Sequence, residues 1–145
     1  MPRFIFALLC MALWQSASAQ ADKWKVVFNR KPVIQTSQED SAKNVIRFKK
    51  KELDNNSICK ILFEEDPNGI KGWKRSIALY DAKGEPVMQM DSTQQLFFYN
   101  SDLMKIMWTR KKVMVYTWNA PNDPRMAAAI RIRRMHLCTF ELLED

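Results

Sequence analysis

Apolar and polar residues alternate along most of the chain after residue 20, which is the pattern of β-strands with one buried face. Between Ser57 and Glu65, Cys59, Ile61 and Phe63 share one parity, and the opposite parity includes lysine and glutamate. The same alternation recurs from Trp24 to Leu142. It predicts about eight short strands and leaves little room for long helices.

Turn residues separate these segments. Asp66-Pro67-Asn68-Gly69 and Asp81-Ala82-Lys83-Gly84 each join two alternating runs, and the second is typical of a tight hairpin connection. Asn100-Ser101-Asp102 offers helix-capping side chains before an apolar stripe. It predicts one short helix over Asp102–Met107.

The last predicted strand, Ala127–Leu142, changes parity in the middle. Ile130 and Ile132 have one parity, whereas Met135 and Leu137 have the other. A β-bulge near Arg133-Arg134 would return all four to one face and turn Cys138 away from it. Without the bulge, Cys138 joins the isoleucines, and the sequence leaves both arrangements open.

Short strands without a repeated βα unit indicate an all-β fold. Several strands are apolar on both faces, which favours an antiparallel β-sandwich over the alternative of a small β-barrel with one polar face. By length, residues 20–145 form a single β-sandwich domain.

Residues 1–19 have the three-part pattern of a secretory signal peptide. Arg3 precedes an apolar run, Phe4–Trp14, and Ala17-Ser18-Ala19 matches a cleavage site before Gln20. The run is shorter than the roughly 20 residues of a membrane-spanning helix. We therefore expect a secreted or periplasmic protein that is not transmembrane after cleavage.

Cys59 and Cys138 are the two cysteines that follow the leader. In an oxidising compartment they are a candidate disulfide. The alternative is two buried thiols that pack as small apolar side chains.

Catalytic motifs are missing from the sequence. Its single histidine, His136, precludes a two-histidine zinc motif, and no Gly-rich phosphate loop occurs. The alternative is an exported enzyme with a nucleophilic Cys138 and His136 as its base, but residues two apart on a strand are beyond hydrogen-bond reach. We therefore predict a non-enzymatic protein with no cofactor and no bound metal.

A net charge of +7 is the remaining functional signal. Basic residues gather at Arg110-Lys111-Lys112 and at two further clusters that we predict as anion-binding. These candidates are Lys49, Lys50, Lys51, Arg131, Arg133 and Arg134. The alternative is that the cations only solvate sheet faces and protect strand edges.

Four aromatic residues also have two interpretations. They could form a platform on which a sugar stacks, or they could belong to the core. They are Trp73, Trp108, Tyr116 and Trp118.

Two function classes follow from the sequence. The first is an exported binding or interaction domain for an anionic polysaccharide or lipid surface. The second is a structural or accessory envelope protein that acts through another envelope protein. Export argues against nucleic acid as the partner.

Overall fold

The computed structural model describes residues 21–144, and the predicted signal peptide, residues 1–19, lies outside them, as does Asp145. Within this range the chain forms nine strands and three short helices. In chain order they are β1 (Lys23–Phe28), β2 (Lys31–Thr36), β3 (Val45–Phe48), α1 (Lys50–Leu53), β4 (Ile58–Glu64), β5 (Trp73–Asp81), β6 (Pro86–Asp91), β7 (Gln95–Tyr99), α2 (Asn100–Arg110), β8 (Lys112–Pro121), α3 (Pro124–Ala129) and β9 (Met135–Leu142).

The strands form two sheets that enclose one apolar core, so the all-β sandwich prediction is confirmed. The smaller sheet has the order β2-β1-β4-β7, and the larger has the order β3-β9-β8-β5-β6. Neighbouring strands are antiparallel except for β3 and β9, which are parallel. In the described residues the sheets do not close into a barrel.

Alternation along β4 follows its predicted faces. Cys59, Ile61 and Phe63 are buried, whereas Lys60 and Glu64 are exposed. A period of two residues places alternate side chains on opposite faces of a sheet, so the apolar parity fills the space between the two sheets.

Trp24 links the two sheets through a buried hydrogen bond. Its indole Nε1 donates to the carbonyl oxygen of Leu137 at 2.9 Å. In the β8–β9 register, Val115 faces Cys138 and Tyr116 faces His136, which leaves Leu137 as the extra residue of a β-bulge.

The prediction of a strand over Ala127–Leu142 is wrong at its beginning. Helix α3 occupies Pro124–Ala129, and β9 begins only at Met135. The Asp123 side chain caps α3 by accepting from the amide of Arg125, and a proline at the start suits a helix. The bulge lies at Leu137 and not near Arg133-Arg134.

The single predicted helix is longer than its apolar stripe suggested, and two further helices accompany it. Helix α2 begins directly after β7 and is capped by Lys111, whose φ is 63° and whose amide donates to the Met107 carbonyl oxygen. The short α1 is fixed at its start by Glu52, whose Oε2 accepts from the amide of Lys49 at 2.7 Å. Both helices lie near one end of the sandwich and contact each other.

Candidate anion-binding site

Strand β9 brings together two basic runs that are distant in sequence. It pairs with β3 in parallel and with β8 in antiparallel fashion, so the end of β3 and the start of β8 lie at the same end of β9. The amide of Leu142 donates to the Lys111 carbonyl oxygen at 2.8 Å, and the amide of Leu143 donates to that of Phe48 at 2.9 Å. The runs 47–51 and 110–112 therefore become neighbours.

Trp108 lies where these two runs meet. Trp108 is 54% exposed, because the opposite face of helix α2 packs Leu103 and Met107 into the core. The ammonium nitrogens of Lys50 and Lys111 lie 4.7 Å and 4.8 Å from the indole centroid. Such cation–π contacts at exposed sites contribute about 0.5–1 kcal/mol each, enough to favour these lysine positions.

We call this site the Trp108 patch and define it by five residues. They are Lys49, Lys50, Lys51, Trp108 and Lys111.

Acidic residues neutralise the cations beside the patch but not the lysines within it. Glu141 lies 3.1 Å from Arg47 Nε and 3.0 Å from Lys112 Nζ, and Asp81 lies 2.7 Å from Arg110 Nη1. The hydrogen bond from Lys112 contributes most to lowering the pKa of the Glu141 carboxyl, which keeps it ionised. Over residues 21–144, the four lysines of the patch form no ion pair with a carboxylate.

The third basic cluster does not join the patch. Arg131, Arg133 and Arg134 precede β9, whereas the patch lies beyond its last residues. At about 3.3 Å per residue, the strand separates its two ends by roughly 25 Å. The structure therefore unites the predicted Lys49–Lys51 candidates with Lys111 and leaves the arginines elsewhere.

Two of these arginines already have partners in the described part of the chain. Arg133 pairs with Glu39, and the guanidinium of Arg134 lies 4.8 Å from the Tyr80 ring centroid and 5.4 Å from that of Trp118. Arg131 is exposed, but it lies outside any strand. In the predicted strand, Arg131 and Arg133 would lie on one face. Both residues lie outside the strands of the structure, so they do not share a strand face.

The four aromatic candidates do not form one platform. Trp118 and Tyr116 lie on the outer face of the larger sheet, and Trp73 lines a cavity at one end of the sandwich. All three are partly buried, whereas Trp108 is exposed. Trp108 is therefore the aromatic residue of this set that a partner can reach most easily.

Cys138 and His136 do not form a nucleophile–base pair. Cys138 lies on the core side of β9 with Phe140, whereas the His136 ring contacts Tyr116 on the outer face. His136 Nε2 lies 2.8 Å from Thr139 Oγ1, and burial raises the pKa of the Cys138 thiol well above its ordinary value. A buried, protonated thiol is a poor nucleophile.

The two cysteines are free in the structure. Both side chains are fully buried, and burial raises the pKa of Cys59 to about 12. This arrangement matches the buried-thiol alternative, and the structure gives a Cys59–Cys138 bridge no support.

A cavity of about 790 Å³ at the other end of the sandwich contains a buried arginine. Arg75 is 5% exposed, its Nε donates to Glu65 at 2.7 Å, and its Nη1 donates to Thr117 at 3.1 Å. Its guanidinium carbon lies 3.8 Å from the Phe63 ring centroid, and Asp22 lies 3.8 Å from Nη2. These contacts satisfy the charge within the chain, so the arginine ties the two sheets and the 65–72 loop together.

Residues 21–144 contain no cluster of three or more His, Cys, Asp or Glu side chains suited to a metal ion. No helix in this range has the length and apolar character to cross a membrane. Comparison of the chain with protein families, with curated proteins and with solved structures finds no match.

Proposed function

We propose that this chain is an exported, non-enzymatic binding domain that holds an anionic partner at the Trp108 patch. The observation that carries the proposal is the convergence of Lys50 and Lys111 on an exposed indole, among four lysines that form no ion pair with a carboxylate of residues 21–144. Export is supported by the signal-peptide pattern of residues 1–19.

Phosphate, sulfate and carboxylate groups share the chemistry that this patch offers. Each ammonium group has three donors and one positive charge, and a lysine near an anionic surface contributes about 1 kcal/mol. Acidic polysaccharides and anionic lipid headgroups both present such groups in dense arrays. Several weak contacts at neighbouring lysines then add to useful affinity.

Binding measurements on the protein beginning at Gln20 test this function. We expect binding to heparin and to phosphatidylglycerol vesicles, and none to phosphatidylcholine vesicles. Affinity should fall steeply as sodium chloride rises from about 50 mM to about 500 mM, because salt screens exposed charges. Heparin binding without vesicle binding identifies a polysaccharide partner, and the reverse result identifies a lipid surface.

A charge-matched pair of variants locates the site. Lys50→Glu/Lys111→Glu should reduce affinity at least tenfold, because it reverses the two charges over Trp108. Lys71→Glu/Lys74→Glu changes the net charge equally at exposed lysines away from the patch and should have a much smaller effect. Equal losses in both variants, or no binding by the unmodified protein at low salt, would contradict the proposal.

A further inference from the structure

The cavity beside Arg75 opens between the two sheets, at the end of the sandwich opposite the Trp108 patch. Its lining comes chiefly from the start of β5, the end of β8 and the loop after β4, and we call it the Arg75 cavity. The residues that define it are Asp22, Glu65, Trp73, Arg75 and Asn119. Its volume of about 790 Å³ lies within the range of roughly 300–1,000 Å³ that is usual for small-molecule sites.

Strand alternation turns the side chains of β5 and β8 into this cavity. Trp73 and Arg75 share the parity of Ile77, which is fully buried in the core. Asn119 lies opposite Arg75 in the β5–β8 ladder. Arg75 and Asn119 therefore form a polar floor above the core, and Trp73 forms a half-buried wall two residues nearer the opening.

The guanidinium of Arg75 has more hydrogen-bond donors than the fold uses. It carries five N–H groups, and within residues 21–144 it forms two hydrogen bonds, from Nε to Glu65 and from Nη1 to Thr117. Asp22 lies 3.8 Å from Nη2, which is an ion pair but too long for a hydrogen bond. The remaining donors of this almost fully buried side chain are available to a molecule in the cavity.

Asn119 supplies a second polar group that the fold does not satisfy. Its Oδ1 is buried and has no hydrogen-bond partner among the described residues. Buried polar atoms are nearly always paired, so an unpaired one marks a place where another molecule supplies the missing partner. Rotation of the side-chain amide exchanges its oxygen and nitrogen, so Asn119 can accept from a ligand or donate to it.

Charges around the cavity nearly cancel. Its lining contains three carboxylates and two cations, whereas the chain carries a net charge of +7. An anion would meet the carboxylates of Asp22 and Glu65, and a cation would meet the buried guanidinium of Arg75. An uncharged hydroxyl group suits both, because it donates one hydrogen bond and accepts two.

We propose that the Arg75 cavity binds one neutral pyranose sugar unit. Hydroxyl groups of the sugar accept from Arg75 and donate to Asp22 or Asn119, and its apolar C–H face packs on the ring of Trp73. A pyranose combines neighbouring hydroxyls with such a face, and an indole offers a large apolar surface beside polar groups. This site goes beyond the proposed anion binding, since its ligand is uncharged and it lies at the other end of the sandwich.

An amide chemical-shift titration of the ¹⁵N-labelled protein beginning at Gln20 tests this site. The probes are the methyl glycosides of glucose, mannose, galactose and N-acetylglucosamine, with sodium phosphate as the anionic comparison. We expect at least one glycoside to give saturating shifts at residues 65–75 and 117–119. Its Kd should change less than about twofold between about 50 mM and about 500 mM sodium chloride, because salt screens charges and the ligand has none.

Two variants separate ligand binding from folding. Asn119→Leu should weaken glycoside binding at least tenfold and leave the free energy of unfolding unchanged or higher, because an unpaired buried oxygen does not stabilise the fold. Trp73→Leu keeps an apolar side chain but removes the ring, and it should weaken binding to a similar extent. Asn56→Leu, the same substitution at an exposed asparagine near the opposite end, should leave binding unchanged.

The proposal is overturned if none of the four glycosides shifts these amides, if either cavity variant binds as tightly as the unmodified protein, or if Asn56→Leu loses as much affinity. Destabilisation by Asn119→Leu would also contradict it, since the amide would then have a structural role. Saturating shifts with phosphate alone would identify an anion site in its place. Because the glycosides are uncharged, this result does not depend on anion binding at the Trp108 patch.

Discussion

At the residue scale, burial of His136 favours the neutral form of its side chain. The imidazole is 5% exposed, and its Nδ1 is buried without a hydrogen-bond partner. Loss of solvation lowers the pKa of His136 below its ordinary value of 6.5, and the nearby charge of Glu39 only partly opposes this. The folded chain therefore holds the neutral ring.

This lowered pKa predicts that the folded chain loses stability in acid at pH values above those at which carboxylates become protonated. The unfolded chain binds the proton at a higher pH than the folded chain, so the free energy of unfolding should fall between about pH 7 and about pH 5. Urea unfolding across this range measures the slope. His136→Gln should reduce the slope, and an unchanged slope would show that His136 does not cause it.

At the scale of single elements, the bond between Trp24 and the β9 bulge joins the two sheets. The Trp24 ring stacks on Phe63 within its own sheet, with 6.3 Å between centroids, and its Nε1 reaches Leu137 in the other. Both residues are buried, so neither the indole nor the carbonyl can replace this bond with one to water.

Trp24→Phe should therefore lower the free energy of unfolding by about 1–3 kcal/mol through the unpaired carbonyl group, with a further loss from reduced packing. Chemical denaturation measures the change. Trp108→Phe, a matched substitution at an exposed position, keeps an aromatic face for Lys50 and Lys111 and should cost no more than about 0.5 kcal/mol. Similar losses in the two variants would show that the buried bond does not stabilise the fold.

Local alternation predicted most strands because it reports the burial of each face directly, as at Cys59, Ile61 and Phe63. It failed over residues 127–134. Asp123 and Pro124 start a helix that extends to Ala129, and residues 130–134 lie in no strand although Ile130 and Ile132 alternate with arginines. The change of parity at Met135 and Leu137 left a bulge as one of two arrangements, because the presence and position of a bulge depend on how β9 pairs with β8. The pairing of two strands depends on both of them, so the sequence of one segment does not determine it.

At the scale of the whole molecule, strand order creates the candidate site. Lys50 and Lys111 are neighbours because β9 lies between β3 and β8, and this includes a parallel pair that an antiparallel prediction did not contain. The sequence therefore identified the basic runs but could not show which of them meet. It ranked Arg131 and Arg133 with the lysines, although Arg133 is paired with Glu39.

The most direct test of the Trp108 patch is an amide chemical-shift titration of the ¹⁵N-labelled protein beginning at Gln20 with a heparin oligosaccharide. We predict that the largest shifts occur at residues 49–51 and 108–112, saturate with ligand and disappear at high salt. Largest shifts at residues 131–134, or uniformly small shifts at low salt, would contradict the account.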